Sequence, residues 1–186
     1  MRLHSHVGSL DDLHLPAVCA RVDTRDGYPA LAQVDIARAV VMELLRTTAR
    51  FEVEVVAYCV LPDHVAVLIA GRNQNADQCA ALRRWKQVSG SAHRKRTGRT
   101  LWQPRCAEWL INDVPNLWEI AAYLVLEPVR RRMVRSVEDY RWLSAPPSVL
   151  GHLASRGRAP HAPEWWPTGE SGAPIAAHRS GRSSPR

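Results

Sequence analysis

The chain has no C-x-x-C pair, no glycine-rich phosphate loop, no internal repeat and no apolar run approaching the length of a membrane span. Each absence removes a class of protein. Cys19, Cys59, Cys79 and Cys106 are far apart, which argues against a zinc knuckle or a disulfide framework and for reduced thiols. Without a phosphate loop, nucleotide-driven chemistry has no cradle. Residues Met1 to Asp12 contain no apolar core of a signal peptide, and with no span elsewhere the sequence predicts a cytoplasmic protein with no membrane partner.

What is present is a basic chain of 186 residues, with 25 Lys and Arg against 18 Asp and Glu. That length suits one domain with a sizeable core, and the net charge of +7 favours an anionic partner, nucleic acid above all. Composition divides the chain into an N-terminal extension, 1–14, a folded domain, 15–153, and a tail, 154–186, rich in Pro, Gly, Ser and Arg. The tail is predicted to be disordered, with Trp165-Trp166 as a docking point.

Within the domain, Leu15 to Val22 reads as a strand and Ala30 to Arg50 as an amphipathic helix through Val34, Ala37, Val41, Leu44 and Leu45. Val53 to Val60 and His64 to Ala70 read as a strand pair joined at Pro62-Asp63. A second helix starts near Ala76 and carries Leu82, Trp85 and Val88 inward and Arg83, Arg84 and Lys86 outward. Ser89 to Arg99 reads as a flexible loop holding His93, Arg94, Lys95, Arg96 and Arg99. A further strand, Trp109 to Ile111, precedes a third helix from Asn116 to about Leu126, which Pro128 ends or kinks. Strand-helix-strand-strand-helix-strand, then a helix, is the α+β ferredoxin-like split β-α-β pattern: an antiparallel sheet with helices on one face, plus a C-terminal helix bearing Tyr123.

Alternation in the strand after Pro62-Asp63 puts His64, Ala66 and Leu68 on one face and Val65, Val67 and Ile69 on the other. Read alone, His64 is a hydrogen-bonded histidine at a strand end. Tyr123, read alone, is a helix tyrosine packed on the sheet.

Four segments change that reading: Ala57 to Val65, containing Leu61-Pro62-Asp63-His64; Leu101-Trp102-Gln103-Pro104-Arg105; Ala122 to Val129, containing Tyr123 and Pro128; and Glu138-Asp139-Tyr140-Arg141-Trp142-Leu143-Ser144. Together, from Leu15 to Ser144, they resemble the single-tyrosine HUH transposases, and among these the REP-associated tyrosine transposases. The resemblance implies single-stranded or hairpin DNA as partner. It also implies strand cleavage and joining through a phosphotyrosine intermediate, with Tyr123 as the nucleophile and a divalent metal, Mg²⁺ or Mn²⁺, polarising the phosphate.

In that family two histidines flank a hydrophobic residue on one strand and hold the metal. Here the motif reads His64-Val65-Ala66, so the second ligand is a methyl group. The third family ligand lies one helical turn after the tyrosine, where this chain has Glu127. His64 and Glu127 are therefore the implied metal ligands, with metal binding weakened or lost. A plainer reading pairs Glu127 with Arg130 or Arg131.

For phosphate contacts the sequence offers Arg83, Arg84, Lys86, Arg94, Lys95, Arg96, Arg99 and Arg105, with Trp102 either a base-stacking platform or a core residue. Two functions stay open: a DNA strand transferase, or a catalytically degenerate module that binds a structured nucleic acid without cutting it, acting as monomer or homodimer.

Overall fold

The computed structural model describes residues 13–156. The N-terminal extension, apart from its last two residues, and the tail after Arg156, with Trp165-Trp166, lie outside the described residues. Five strands form one sheet: β1 (His14–Asp23), β2 (Val53–Val60), β3 (His64–Gly71), β4 (Ala107–Ile111) and β5 (Leu143–Ser144), in the order β4-β1-β3-β2-β5, with every pairing antiparallel. The four longer strands have the ferredoxin-like order, as the pattern predicted.

The helices are α1 (Val34–Arg50), α2 (Gln78–Thr97), α3 (Val114–Val125), α4 (Glu127–Arg130) and α5 (Pro147–Arg156). Helices α1 and α2 cover one face of the sheet, where Val65, Val67 and Ile69 of β3 meet Val40, Val41, Leu44, Leu82 and Trp85. The tyrosine-bearing α3 covers the opposite face with α5, against Ala66, Leu68 and Ala70 of β3 and Val56, Ala57 and Cys59 of β2. Central strand β3 is therefore buried along its whole length, as a strand covered on both faces must be.

Helix α2 departs from the expectation. It does not stop at Val88; it runs on through Ser89-Gly90-Ser91-Ala92-His93 to Thr97, so the predicted flexible basic loop is helix up to that residue. Asp77 caps its start, Oδ1 accepting the Ala80 N–H at 2.8 Å. Gly98 ends it in the left-handed region, φ +73°, with its N–H on the Arg94 carbonyl at 2.8 Å.

Two of the small residues that look like a loop, Ser89 and Gly90, pack on Trp102. A Cβ on Gly90 would meet Trp102 Cδ1 at 3.2 Å, and Ser89 Oγ accepts the Trp102 indole N–H at 2.9 Å. Arg94, Lys95 and Arg96 fill the last turn, where cations suit the negative end of the helix dipole.

Two of the four family-like segments build the fold. Trp102 bridges to Thr24, and its neighbour Gln103 donates its N–H to the Asp23 carbonyl at 3.0 Å, closing the start of the sheet. Tyr140 Oη donates to the Val60 carbonyl at 2.7 Å, the Val60 N–H donates to the Trp142 carbonyl at 2.8 Å, and Leu143 and Ser144 pair with Cys59 and Tyr58. These bonds dock the segment after α4 against β2.

Candidate active site and nucleic-acid interface

Two sequence-predicted residues, His64 and Glu127, do meet, and Tyr123 stands one helical turn before Glu127. His64 opens β3 on the α3 face, Tyr123 lies on α3, and Glu127 begins α4 one turn later. His64 is fully buried, with its Nδ1 2.8 Å from Asp63 Oδ1 and its Nε2 3.1 Å from Glu127 Oε1. Asp63, which a regular strand would point to the other face, bends in because it sits at the turn.

Ionised carboxylates only accept hydrogen bonds, so carboxylate oxygens facing both ring nitrogens favour the doubly protonated imidazole. The balance of forces agrees. Burial pushes the His64 pKa down, but hydrogen bonds to Asp63 and Glu127 outweigh it and the value is raised. Burial pushes Glu127 up, yet the His64 bond and charge, with Arg131 and Arg21, bring it below its ordinary value. Asp63 is held well below the carboxylate range, chiefly by its bond to His64.

Two arginines complete the cluster. Arg131 Nε lies 3.3 Å from Glu127 Oε1 and its Nη1 3.6 Å from Asp63 Oδ2. Arg21 Nη1 lies 3.9 Å from Glu127 Oε1, and its Nε donates to Asp23 Oδ1 at 2.9 Å. Arg131 was anticipated as a partner of Glu127, whereas Arg21 was not. It stands on β1, and only the strand register, which sets it directly opposite Ala66, brings it here.

Tyr123 is 6% exposed, and the Arg130 guanidinium lies 3.6 Å from its ring centroid, with Nη1 donating to the Tyr123 carbonyl at 2.6 Å. Burial raises the phenol pKa, and Arg130 opposes that rise. The hydroxyl therefore stays protonated at neutral pH.

The residues present do not fit a divalent metal. One feature favours a cation: Glu127 Oε2 is buried without a hydrogen-bond partner. Against it, both nitrogens of His64 are engaged with carboxylate oxygens, and Oε1 of Glu127 is already held by His64 and Arg131 with Arg21 close by. The side chains of His64 and Glu127 are 0% and 6% exposed, leaving no open coordination positions for water and phosphate. Among the described residues no three His, Cys, Asp or Glu side chains are grouped to hold a metal.

The predicted nucleic-acid residues lie elsewhere. Arg83, Arg84, Arg94 and Lys95 are exposed along α2, on the opposite face of the sheet from Tyr123. Arg83 and Arg94, like Arg84 and Lys95, are eleven residues apart, so each pair repeats along one line of the helix at about 16 Å. Arg96 pairs with Asp35 at 3.6 Å, Arg99 lies 5.7 Å from the Tyr28 ring centroid, Lys86 Nζ donates to the Pro104 carbonyl at 3.0 Å, and Arg105 is exposed. Of the two readings open for Trp102, the core one fits and the base-stacking one does not. Trp102 is 5% exposed, its N–H is held by Ser89 and its ring centroid is 5.5 Å from that of Trp85, so it is core and offers no open face to a base.

No helix among the described residues is long and apolar enough to cross a membrane. No family model and no curated protein matches the sequence. Among solved structures, the chain is similar to a REP-associated tyrosine transposase bound to a REP hairpin, with a TM-score of 0.61 and 19% identity over 87% of this chain and 93% of that one. It is also similar to a protein of Deinococcus radiodurans R1 named as a candidate transposase, with a TM-score of 0.46 and 14% identity over 74% of this chain and 97% of that one. The first match shows that this chain has the fold of a REP-associated tyrosine transposase.

Proposed function

We propose that the protein binds a structured single-stranded DNA element, a hairpin above all, without needing a metal ion and without cutting the strand. One contrast carries the reading: the cations along α2 face solvent, while Asp63, His64, Glu127 and Arg131 are engaged with one another beside Tyr123. Exposed cations on a rigid helix suit a phosphate backbone. A closed charge cluster does not suit a metal-activated phosphate. The hairpin ligand of the solved transposase that shares the fold supports the choice of DNA form.

A second reading has its own support. His64 and Glu127 meet at 3.1 Å with Tyr123 one helical turn before Glu127, and the Arg130 guanidinium lies over the Tyr123 ring, where it opposes the rise that burial gives the phenol pKa. In that reading Tyr123 Oη attacks a backbone phosphorus and the 3′ oxygen leaves, giving a phosphotyrosine and a free 3′ hydroxyl.

One experiment separates the two. The full chain is incubated with labelled hairpin DNA, in chelator or in Mn²⁺, and binding and denaturation-resistant adduct are both measured. Binding in chelator that falls steeply with salt, with no adduct in Mn²⁺, is the expected result. An adduct formed by the wild type and absent in Tyr123→Phe would overturn it in favour of cleavage, and no binding at all would overturn both readings.

A further inference from the structure

The mismatch between the implied metal site and the residues present has a specific cause in the sheet. Ala66 on β3 lies directly across from Arg21 on β1, and opposed residues of antiparallel strands point to the same face with Cβ atoms about 5 Å apart. That face is the one carrying His64, since Ala17, Cys19 and Ala66 all belong to the core beneath α3. An alanine at 66 leaves room over β3. Arg21, with its side chain only 16% exposed, crosses toward that side and brings Nη1 to 3.9 Å from Glu127 Oε1, while Nε is anchored by Asp23. From the other side Arg131 reaches the same oxygen at 3.3 Å and ties it to Asp63.

We infer that an internal cation takes the place of the metal that the family resemblance implies: Arg21, placed by the register opposite Ala66, together with Arg131 supplies Glu127 with the positive charge that a divalent ion would otherwise bring. Ala66 and Arg21, opposed across the two strands, form one unit. A histidine restored at 66 would meet the Arg21 side chain in a position that is now fully buried, so restoring the motif alone does not restore a metal site. Arg21 is here a positioning residue. It neutralises and orients Glu127, which in turn holds His64.

This inference concerns the protein without DNA and does not depend on the hairpin reading. It is tested by titrating Mn²⁺ into the apo full chain, with calorimetry and paramagnetic broadening of the His64 imidazole signals as readouts and thermal unfolding as the check on folding. The wild type and Ala66→His should show no stoichiometric uptake at His64. The double variant Ala66→His/Arg21→Gln should bind Mn²⁺ at least about tenfold more tightly than Ala66→His alone, the scale on which groups around a metal site act.

Stoichiometric broadening of His64 in the wild type would overturn the inference without need of any variant. So would equal affinity in Ala66→His and the double variant, or no gain in a folded double variant. None of these outcomes bears on whether the wild type binds hairpin DNA.

Discussion

Around Glu127, His64, Arg131 and Arg21 surround a single buried carboxylate oxygen within 3.9 Å. Along α2, Arg83, Arg84, Arg94 and Lys95 stand in water on the other face of the same sheet. The two regions are both rich in arginine and differ in what the surroundings demand. A buried charge must find an opposite charge or hydrogen bonds, because leaving it unpaired costs several kcal/mol, so in the first region the charges are paired with one another. An exposed charge has water as its partner and costs little, so the second region keeps its cations available to an outside anion. Arginine content alone therefore does not mark a nucleic-acid surface; burial decides which cations are free to act.

The largest expected effect follows from the first region. Glu127→Ala should destabilise the fold by about 3–5 kcal/mol in urea denaturation, since it removes the carboxylate facing Nε2 of buried His64 and leaves Arg21 with Asp23 alone. Arg84→Gln on the open region should change stability by less than about 0.5 kcal/mol. Similar losses in the two variants would break the distinction.

A comparable loss is expected at Trp102. Trp102→Ala should cost about 3–5 kcal/mol, the range for deleting a buried indole. If affinity for hairpin DNA fell while stability held, Trp102 would be a stacking platform after all. Measuring the urea midpoint and the binding curve on the same sample decides between them.

Binding should respond to the open region. Replacing Arg83, Arg84, Arg94 and Lys95 together by Gln should weaken hairpin binding and flatten its salt dependence by about 0.7–0.9 in logarithmic slope for each lost phosphate contact. Fluorescence anisotropy over a range of salt concentrations measures the slope. An unchanged slope would move the interface away from α2.

The smallest effect is the pH dependence of stability. Asp63 and Glu127 have lowered values in the folded state, so their contribution is complete above the ordinary carboxylate range and is lost as the pH falls. His64 has a raised value, so its contribution is complete below the ordinary histidine value of 6.5 and is lost as the pH rises through its folded-state value. Stability contributed by the cluster should therefore be highest from just above the ordinary glutamate value of 4.5 to about 6.5. Urea midpoints across pH should show the alkaline decline in the wild type and lose it in His64→Gln.

Much of the fold was legible in the sequence because periodicity reports burial directly. The alternation from His64 to Ile69 became a strand with two different faces, and both faces found helices. Strand β1, helix α1 and the β2–β3 pair lie close to where the pattern placed them. The reading failed between Ser89 and Thr97, because glycine and serine signal flexibility in a sequence and can also signal close packing. The partner that settles the matter, Trp102, lies 13 residues from Ser89 across a chain reversal.

The candidate site divides in the same way. The sequence by itself determined that His64, Tyr123 and Glu127 stand in a family-like order, that an alanine stands at 66 where the resemblance implies a histidine, and that the chain is basic enough to seek an anion. It determined these because residue identity and spacing along one strand or one helix are local properties. Only the tertiary structure decided that Asp63 turns inward, that Arg21 lies across from Ala66, that Trp102 is core, and that the cations of α2 and the tyrosine of α3 occupy opposite faces of one sheet. Strand register and burial join residues far apart in the chain, and the electrostatic fate of a charge depends on those neighbours rather than on its place in the sequence.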